Sequence, residues 1–156
     1  MIMGGRLAGI ARHARPRAPM ETVEAVAVTV DGGIEGDFRG AIPPGKRGRR
    51  QVSMIEKGDW DAATAEISRP LDWWNRRANL LVDGLDLPQR EGAVIRIGAD
   101  VRIVTTVECD PCSRMDEIAP GLKDALTPDW RGGVLGRVIA GGYIRVGDPI
   151  IIEDDQ

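Results

Sequence analysis

The sequence predicts a mainly β protein, a barrel with one or two short helices inserted between its strands. Most of its apolar runs are only four to eight residues long, the length of strands, and turn signals such as Gly141-Gly142 separate them. Glycine and proline number 20 and 10 among 156 residues, which is typical of a chain with many turns and few long helices. One segment, residues 56–68, shows clear helical periodicity.

The first predicted strand covers residues 23–30, where β-branched residues alternate until Asp31-Gly32-Gly33 breaks the run. Residues 1–19 are turn-rich and basic, and residues 34–50, with many glycine, proline and basic residues, are predicted to hold little regular structure. The predicted elements that follow are strands at 51–55, 79–82, 94–97, 101–107, 134–140, 143–146 and 149–153, and helices at 56–68 and 120–126. On the first helix, Trp60, Ala63, Thr64 and Ile67 share one face.

Composition narrows the class of protein. With 42% hydrophobic and 29% charged residues, the chain is expected to form one domain over residues 1–156. Its 21 basic and 24 acidic side chains give a net charge of −3, so no overall field attracts nucleic acid. The longest apolar run, residues 25–30, is too short to span a membrane, and residues 1–19 lack the apolar core of a secretory signal. We therefore expect a cytoplasmic protein that binds neither nucleic acid nor membrane.

Two cysteines, Cys109 and Cys112, stand at C-x-x-C spacing. Such a pair can form a redox disulfide, supply half of a zinc site, or present one thiolate as a nucleophile or soft metal ligand. Zinc is not expected, because His13 is the only histidine and lies far away in the sequence. A thioredoxin-like site is disfavoured, because the pair follows predicted strands and Pro111 discourages a helix before Cys112. Two interpretations remain: one cysteine is a reactive thiolate, or both cysteines are simply small buried side chains.

Two basic clusters, residues 46–50 and Arg76-Arg77, lie elsewhere in the chain, and Arg114 follows the cysteines. Such clusters are usually solvated surface, but together with a cysteine they could form a cup for an anion, because guanidinium groups bind oxyanions bidentately. The sequence contains no phosphate-binding glycine motif, and its single histidine and lack of G-x-S-x-G argue against a serine hydrolase.

Five segments taken in order resemble the MOSC family, the domain found at the C-terminus of molybdenum cofactor sulfurases and in small stand-alone bacterial proteins. They are residues 33–37, 50–53, 77–87, 109–112 and 141–149, and the resemblance extends over about residues 5–152. It implies a MOSC-type β-barrel, similar to the barrel of pyruvate kinase, and a sulfur-carrying or molybdopterin-related role centred on one cysteine.

The resemblance also implies roles for individual residues. Cys112 matches the family cysteine, which is thought to carry a persulfide in the sulfurases and which ligates molybdenum in the amidoxime-reducing relatives; Cys109 would be an auxiliary thiol. Arg77 and Asn79 match an R-x-N element whose arginine faces the cofactor in those relatives. Arg50 and Ser53 match a cavity-lining strand, and Asp37 matches a glycine-rich block. Many stand-alone members have the pattern G-D-x-H-x-G in this block, and here Arg39 stands in place of the histidine.

We therefore expect Cys112 to act on sulfur, as a persulfide carrier and transferase or by cleaving a carbon–sulfur bond. Arg77, Arg50 and Arg114 would hold the anionic group of a small substrate, and Asn79 and Ser53 would orient it. Because the sequence leaves no room for a desulfurase domain, sulfur would come from a donor protein such as a cysteine desulfurase. The alternatives are molybdenum cofactor binding with Cys112 as the metal ligand, and a non-catalytic barrel that binds an anion or a partner.

Overall fold

The computed structural model describes residues 4–153, which form eleven strands and three α-helices. The strands are β1 Gly5–Arg12, β2 Glu21–Thr22, β3 Ala25–Thr29, β4 Gly33–Ile34, β5 Val52–Glu56, β6 Leu80–Asp83, β7 Val94–Ile97, β8 Val101–Glu108, β9 Val134–Ala140, β10 Gly142–Arg145 and β11 Pro149–Glu153. The helices are α1 Lys57–Glu66, α2 Ser113–Ile118 and α3 Leu122–Leu126, and two short 3-10 turns cover Trp73–Arg76 and Pro128–Trp130.

Seven strands close into a barrel, as the sequence predicted. Their order around the barrel is β1, β6, β5, β9, β8, β7 and β11, and β11 pairs with β1 again to complete the closure. All of these pairs are antiparallel except β5 with β6, which run parallel and are joined by the crossover that contains α1. A separate small sheet has the order β10-β3-β4.

The first strand, β1, is the main element that the sequence analysis missed. Its pairing with β6 shifts register between Leu7 and Gly9, so the regular alternation of buried and exposed residues is interrupted. Leu7 and Ile10, three positions apart, are both buried for this reason. The bulge conceals the period of two on which strand prediction depends.

The helices also differ in part from the prediction. Helix α1 lies inside the predicted range but ends at Glu66. Helix α2 begins directly after Cys112 and was not among the predicted elements. A proline restricts the residue before it, so Pro111 is compatible with a helix that starts two residues after it. No helix within residues 4–153 has the length and apolar character needed to cross a membrane.

Two hydrophobic clusters lie on opposite faces of the barrel wall. Residues of β5 show the division: Met54 belongs to the cluster inside the barrel, and Ile55 belongs to the cluster under the helices. This is the alternation expected of a strand that is buried on both faces. Trp60 of α1 and Leu122 of α3 lie in the outer cluster, which fixes the helices against the barrel.

Candidate functional site

One cavity of about 250 Å³ brings together the nine residues to which a site role was assigned from the sequence. Its wall is formed by the first residues of two barrel strands, by loops next to the strands and by the start of α2. The residues concerned are Asp37, Arg39, Arg50, Ser53, Arg77, Asn79, Cys109, Cys112 and Arg114. These positions are far apart in the chain, so the barrel is what assembles them.

The two cysteines occupy different environments in this cavity. Cys112 is exposed and immediately precedes α2, where its carbonyl oxygen accepts a hydrogen bond from the backbone of Met115 at 2.9 Å. Cys109 is buried, and its backbone N–H donates to the carbonyl oxygen of Gly133 at 2.9 Å. A ligand in the cavity therefore has access to Cys112, whereas Cys109 is part of the wall.

Arg76 fixes the cysteine turn. This arginine is 7% exposed, and its Nη2 donates to both the carbonyl oxygen of Cys109, at 2.8 Å, and its Sγ, at 3.2 Å. Its Nε donates to the carbonyl oxygen of Gly132 at 3.0 Å. A Cβ at Gly132 would lie 2.5 Å from the Cys109 carbonyl oxygen, so this close approach requires glycine.

The glycine-rich segment after β4 is anchored by Asp37, whose side chain is 1% exposed. Its Oδ1 accepts from the backbone N–H of His13 at 3.1 Å, and its Oδ2 accepts from that of Arg39 at 3.2 Å. The buried side chain of Gln51 holds the same segment through a donation to the carbonyl oxygen of Gly40 at 2.9 Å. Asp37 therefore positions the loop that carries Arg39 over the cavity.

Ser53 and Asn79 are hydrogen-bonded to each other. Asn79 Oδ1 accepts from the backbone N–H of Ser53 at 3.0 Å and from its hydroxyl at 3.2 Å, and the Asn79 Nδ2 donates to the carbonyl oxygen of Ala11 at 3.1 Å. These bonds connect β5, β6 and β1 behind the cavity. These contacts position the strands. That either side chain also orients a ligand stays a prediction.

The cavity is strongly cationic although the whole chain is acidic. Five separate segments contribute six arginines, and Asp37 is the one carboxylate among the lining residues. Burial, helped by the nearby charges of Arg114 and Arg17, lowers the pKa of Arg77 from its ordinary value. Within residues 4–153, two buried side-chain nitrogens have no hydrogen-bond partner, Nδ1 of His13 and Nε of Arg114, and both residues line this cavity. The site is therefore suited to an anion that accepts hydrogen bonds.

Three of the lining residues that were not predicted as site residues carry basic side chains: His13, Arg17 and Arg76. The first two follow the missed strand β1, so nothing in the sequence placed them near the cysteines. Arg76 lies next to the predicted site residue Arg77. Because Arg76 ends a 3-10 turn and Arg77 has a left-handed backbone, with φ of 67°, the two side chains contact different partners.

The basic cluster at residues 46–50 is divided by the structure. Arg50 lines the cysteine cavity, whereas Lys46, Arg47 and Arg49 lie around a neighbouring cavity of about 530 Å³. The two cavities have Phe38, Arg39 and Arg50 in common. The whole cluster was expected to help form one anion cup. Of its basic residues, only Arg50 lines the cysteine cavity.

The described residues offer no cluster of three or more His, Cys, Asp or Glu side chains able to hold a metal ion. A metal bound by protein ligands alone does not fit this cavity. A metal that brings its own ligands needs only one soft protein donor, and the Cys112 thiol is such a donor.

Fold and site together define a β-barrel protein with an exposed cysteine at an arginine-lined cavity. The sequence profile of the MOSC domain matches residues 24–151, and the chain belongs to this family. No curated protein matches the sequence.

Solved structures share the fold at low sequence identity. The YuaD protein of Bacillus subtilis superposes with a TM-score of 0.79 at 18% identity, over 99% of this chain and 98% of that one. YiiM from Escherichia coli gives 0.69 at 17% identity, over 97% of this chain and 71% of the other. YiiM from Geobacillus stearothermophilus gives 0.65 at 17% identity, over 98% and 75%.

Proposed function

We propose that the protein transfers sulfur, with Cys112 as the residue that accepts and carries a sulfur atom as a persulfide. The observation that supports this most directly is the position of Cys112, an exposed thiol at a cavity lined by six arginines. Sulfur is attacked efficiently by a thiolate, which is a soft nucleophile. The guanidinium groups that line the cavity can donate hydrogen bonds to the anionic group of a sulfur donor.

The proposed reaction requires no external oxidant or reductant. The Cys112 thiolate attacks the terminal sulfur of a donor persulfide, a new S–S bond forms, and the donor's S–S bond breaks. The electron pair of the broken bond leaves on the donor's own sulfur, so donor thiolate and Cys112 persulfide are the products. Transfer onward repeats the same exchange with an acceptor thiolate.

The size and charge of the cavity indicate the kind of substrate. Its volume of about 250 Å³ lies below the range of about 300–1,000 Å³ that is usual for sites of drug-sized ligands. A compact anionic group matches this space and the arginine lining. A small anionic persulfide, or the persulfide loop of a donor protein such as a cysteine desulfurase, is therefore the substrate class we propose.

Mass spectrometry after incubation with glutathione persulfide tests this function. We expect the mass of one added sulfur atom on the peptide that contains Cys112, removable by dithiothreitol. The adduct should be lost in Cys112→Ser and retained in the matched variant Cys109→Ser. Absence of the adduct from the wild-type protein, or its persistence in Cys112→Ser, would contradict the proposal and favour a non-catalytic anion-binding barrel.

A second candidate function is binding of molybdenum cofactor, which the same exposed thiol supports. Cys112 would be the metal ligand, and Arg114 and Arg50 would bind the phosphate of the cofactor. When bound, molybdenum supplies two-electron redox chemistry. Metal analysis of protein from a molybdate-replete host distinguishes the candidates: about one molybdenum per chain, lost in Cys112→Ser, supports this function, and metal-free protein that carries persulfide supports sulfur transfer.

A further inference from the structure

His13, the only histidine in the chain, lies at the wall of the arginine-lined cavity. It follows β1, and its carbonyl oxygen accepts a hydrogen bond from the backbone N–H of Phe38 at 2.7 Å. The imidazole ring lies 5.9 Å from the Phe38 ring, between centroids, and its side chain is 11% exposed. The glycine-rich loop thus holds this histidine in place at the edge of the anion site.

Asp37 faces one nitrogen of the imidazole. Its Oδ1 lies 3.5 Å from Nδ1 of His13, and that nitrogen is buried without a hydrogen-bond partner. A proton on Nδ1 would have this carboxylate as its acceptor, and Nε2 would remain for a ligand. The geometry therefore resembles a carboxylate–imidazole pair in which the carboxylate orients the ring.

We propose that His13 couples anion binding to proton uptake: it is neutral in the empty cavity and takes a proton from solvent when an anion enters. The protonated ring donates Nδ1–H to Asp37 and offers Nε2–H to the anion. This inference rests on the anion-binding half of the proposed function and is independent of sulfur transfer at Cys112. His13 is then a specificity-determining residue, because it adds a positive charge only when an anion is present.

The charges around His13 support this coupling. Burial lowers the pKa of His13 below its usual value; Asp37 acts in the opposite direction, and the charges of Arg77, Arg39 and Arg114 lower it further. A bound anion offsets the arginine charges and so raises the pKa of His13. The other titratable or charged groups that line the cavity are Arg17, Arg50, Arg76, Cys109 and Cys112.

Sulfate is a suitable probe, because it carries two negative charges throughout the range in which histidine titrates, so any pH dependence belongs to the protein. In tag-free protein, the single histidine gives one set of imidazole NMR signals, and their shift with pH reports the pKa of His13 directly. We expect sulfate to raise this pKa. By linkage, each unit of rise corresponds to about tenfold tighter sulfate binding at low pH than at high pH.

Two variants sharpen this test. His13→Gln should bind sulfate with no change in affinity between pH 5.5 and pH 8, while Arg47→Gln, outside the cavity, should retain the wild-type pH dependence. The inference is overturned if sulfate leaves the His13 titration of the wild-type protein unchanged, or if His13→Gln keeps the pH dependence. Because the titration uses wild-type protein, a variant that fails to fold does not affect it. A failure to form a persulfide on Cys112 would contradict the proposed sulfur transfer but would not change the outcome of the His13 titration.

Discussion

Arg76 binds Cys109 at two atoms, since the same guanidinium nitrogen donates to its carbonyl oxygen and to its sulfur. The third contact of this arginine, to the carbonyl oxygen of Gly132, connects the cysteine turn to the segment before β9. One buried side chain therefore holds the turn on which the exposed Cys112 is placed.

Replacing Arg76 by methionine should destabilise the fold. The substitution keeps an apolar stem but leaves two buried carbonyl oxygens without their donor, and each costs about 1–3 kcal/mol. We expect the free energy of unfolding, measured in urea, to fall by about 2–4 kcal/mol. The matched control, exposed Arg47→Met, should stay within about 0.5 kcal/mol of wild type. Equal stability of the two variants would contradict the role given to Arg76.

Alkylation should distinguish the two cysteines in the native protein. Iodoacetamide is expected to modify the exposed Cys112 first, because Cys109 reacts only after the turn opens. Each 1.4 kcal/mol of opening free energy slows Cys109 by about tenfold. Peptide mapping during a time course measures both rates. As a control, urea should make the two rates similar. Comparable rates under native conditions would contradict the assignment of Cys109 to a closed cavity wall.

Glu56 should make stability depend on pH. Burial, with the neighbouring carboxylates Asp59 and Asp86, raises the pKa of Glu56 to about 7, although its Oε2 accepts from the backbone N–H of Leu87 at 3.1 Å. The unfolded chain has the ordinary pKa of 4.5. Between these values the folded state binds more protons, so the contribution of Glu56 to stability is present at low pH and is lost as pH rises towards 7.

The variant Glu56→Gln isolates this contribution. At pH 4, below both pKa values, its free energy of unfolding should match that of wild type, because Glu56 is then protonated in the folded and in the unfolded wild-type chain. At pH 8 the variant should be more stable by about 1–2 kcal/mol, a value reduced for partial solvent screening. Glu117→Gln, an exposed position on α2, is the charge-matched control and should show no such divergence. A constant difference at both pH values would argue against a raised pKa of Glu56.

The sequence predicted the barrel well, because six of its seven strands are short apolar runs, most of them next to turn signals. It could not predict β1, whose bulge removes the alternation, or α2, which has only six residues. Site residues were found where a motif marked them, as with Cys112 and Arg77. His13 carries no such mark in the sequence, because its place beside Asp37 depends on how β1 packs against the glycine-rich loop.

The most direct test of the central claim is the rate constant for sulfur transfer to Cys112 from an anionic donor, glutathione persulfide. Arg50 is exposed and Arg114 Nε has no hydrogen-bond partner, so replacing both by glutamine removes few contacts of the fold. We predict that Arg50→Gln/Arg114→Gln slows transfer by about tenfold or more, the loss of about 1.4 kcal/mol of charge-assisted binding. Arg47→Gln/Arg49→Gln with the anionic donor, and either double variant with an uncharged alkyl persulfide, should show near wild-type rates. Equal rates for both double variants with the anionic donor would contradict an arginine-lined cavity that delivers sulfur to Cys112.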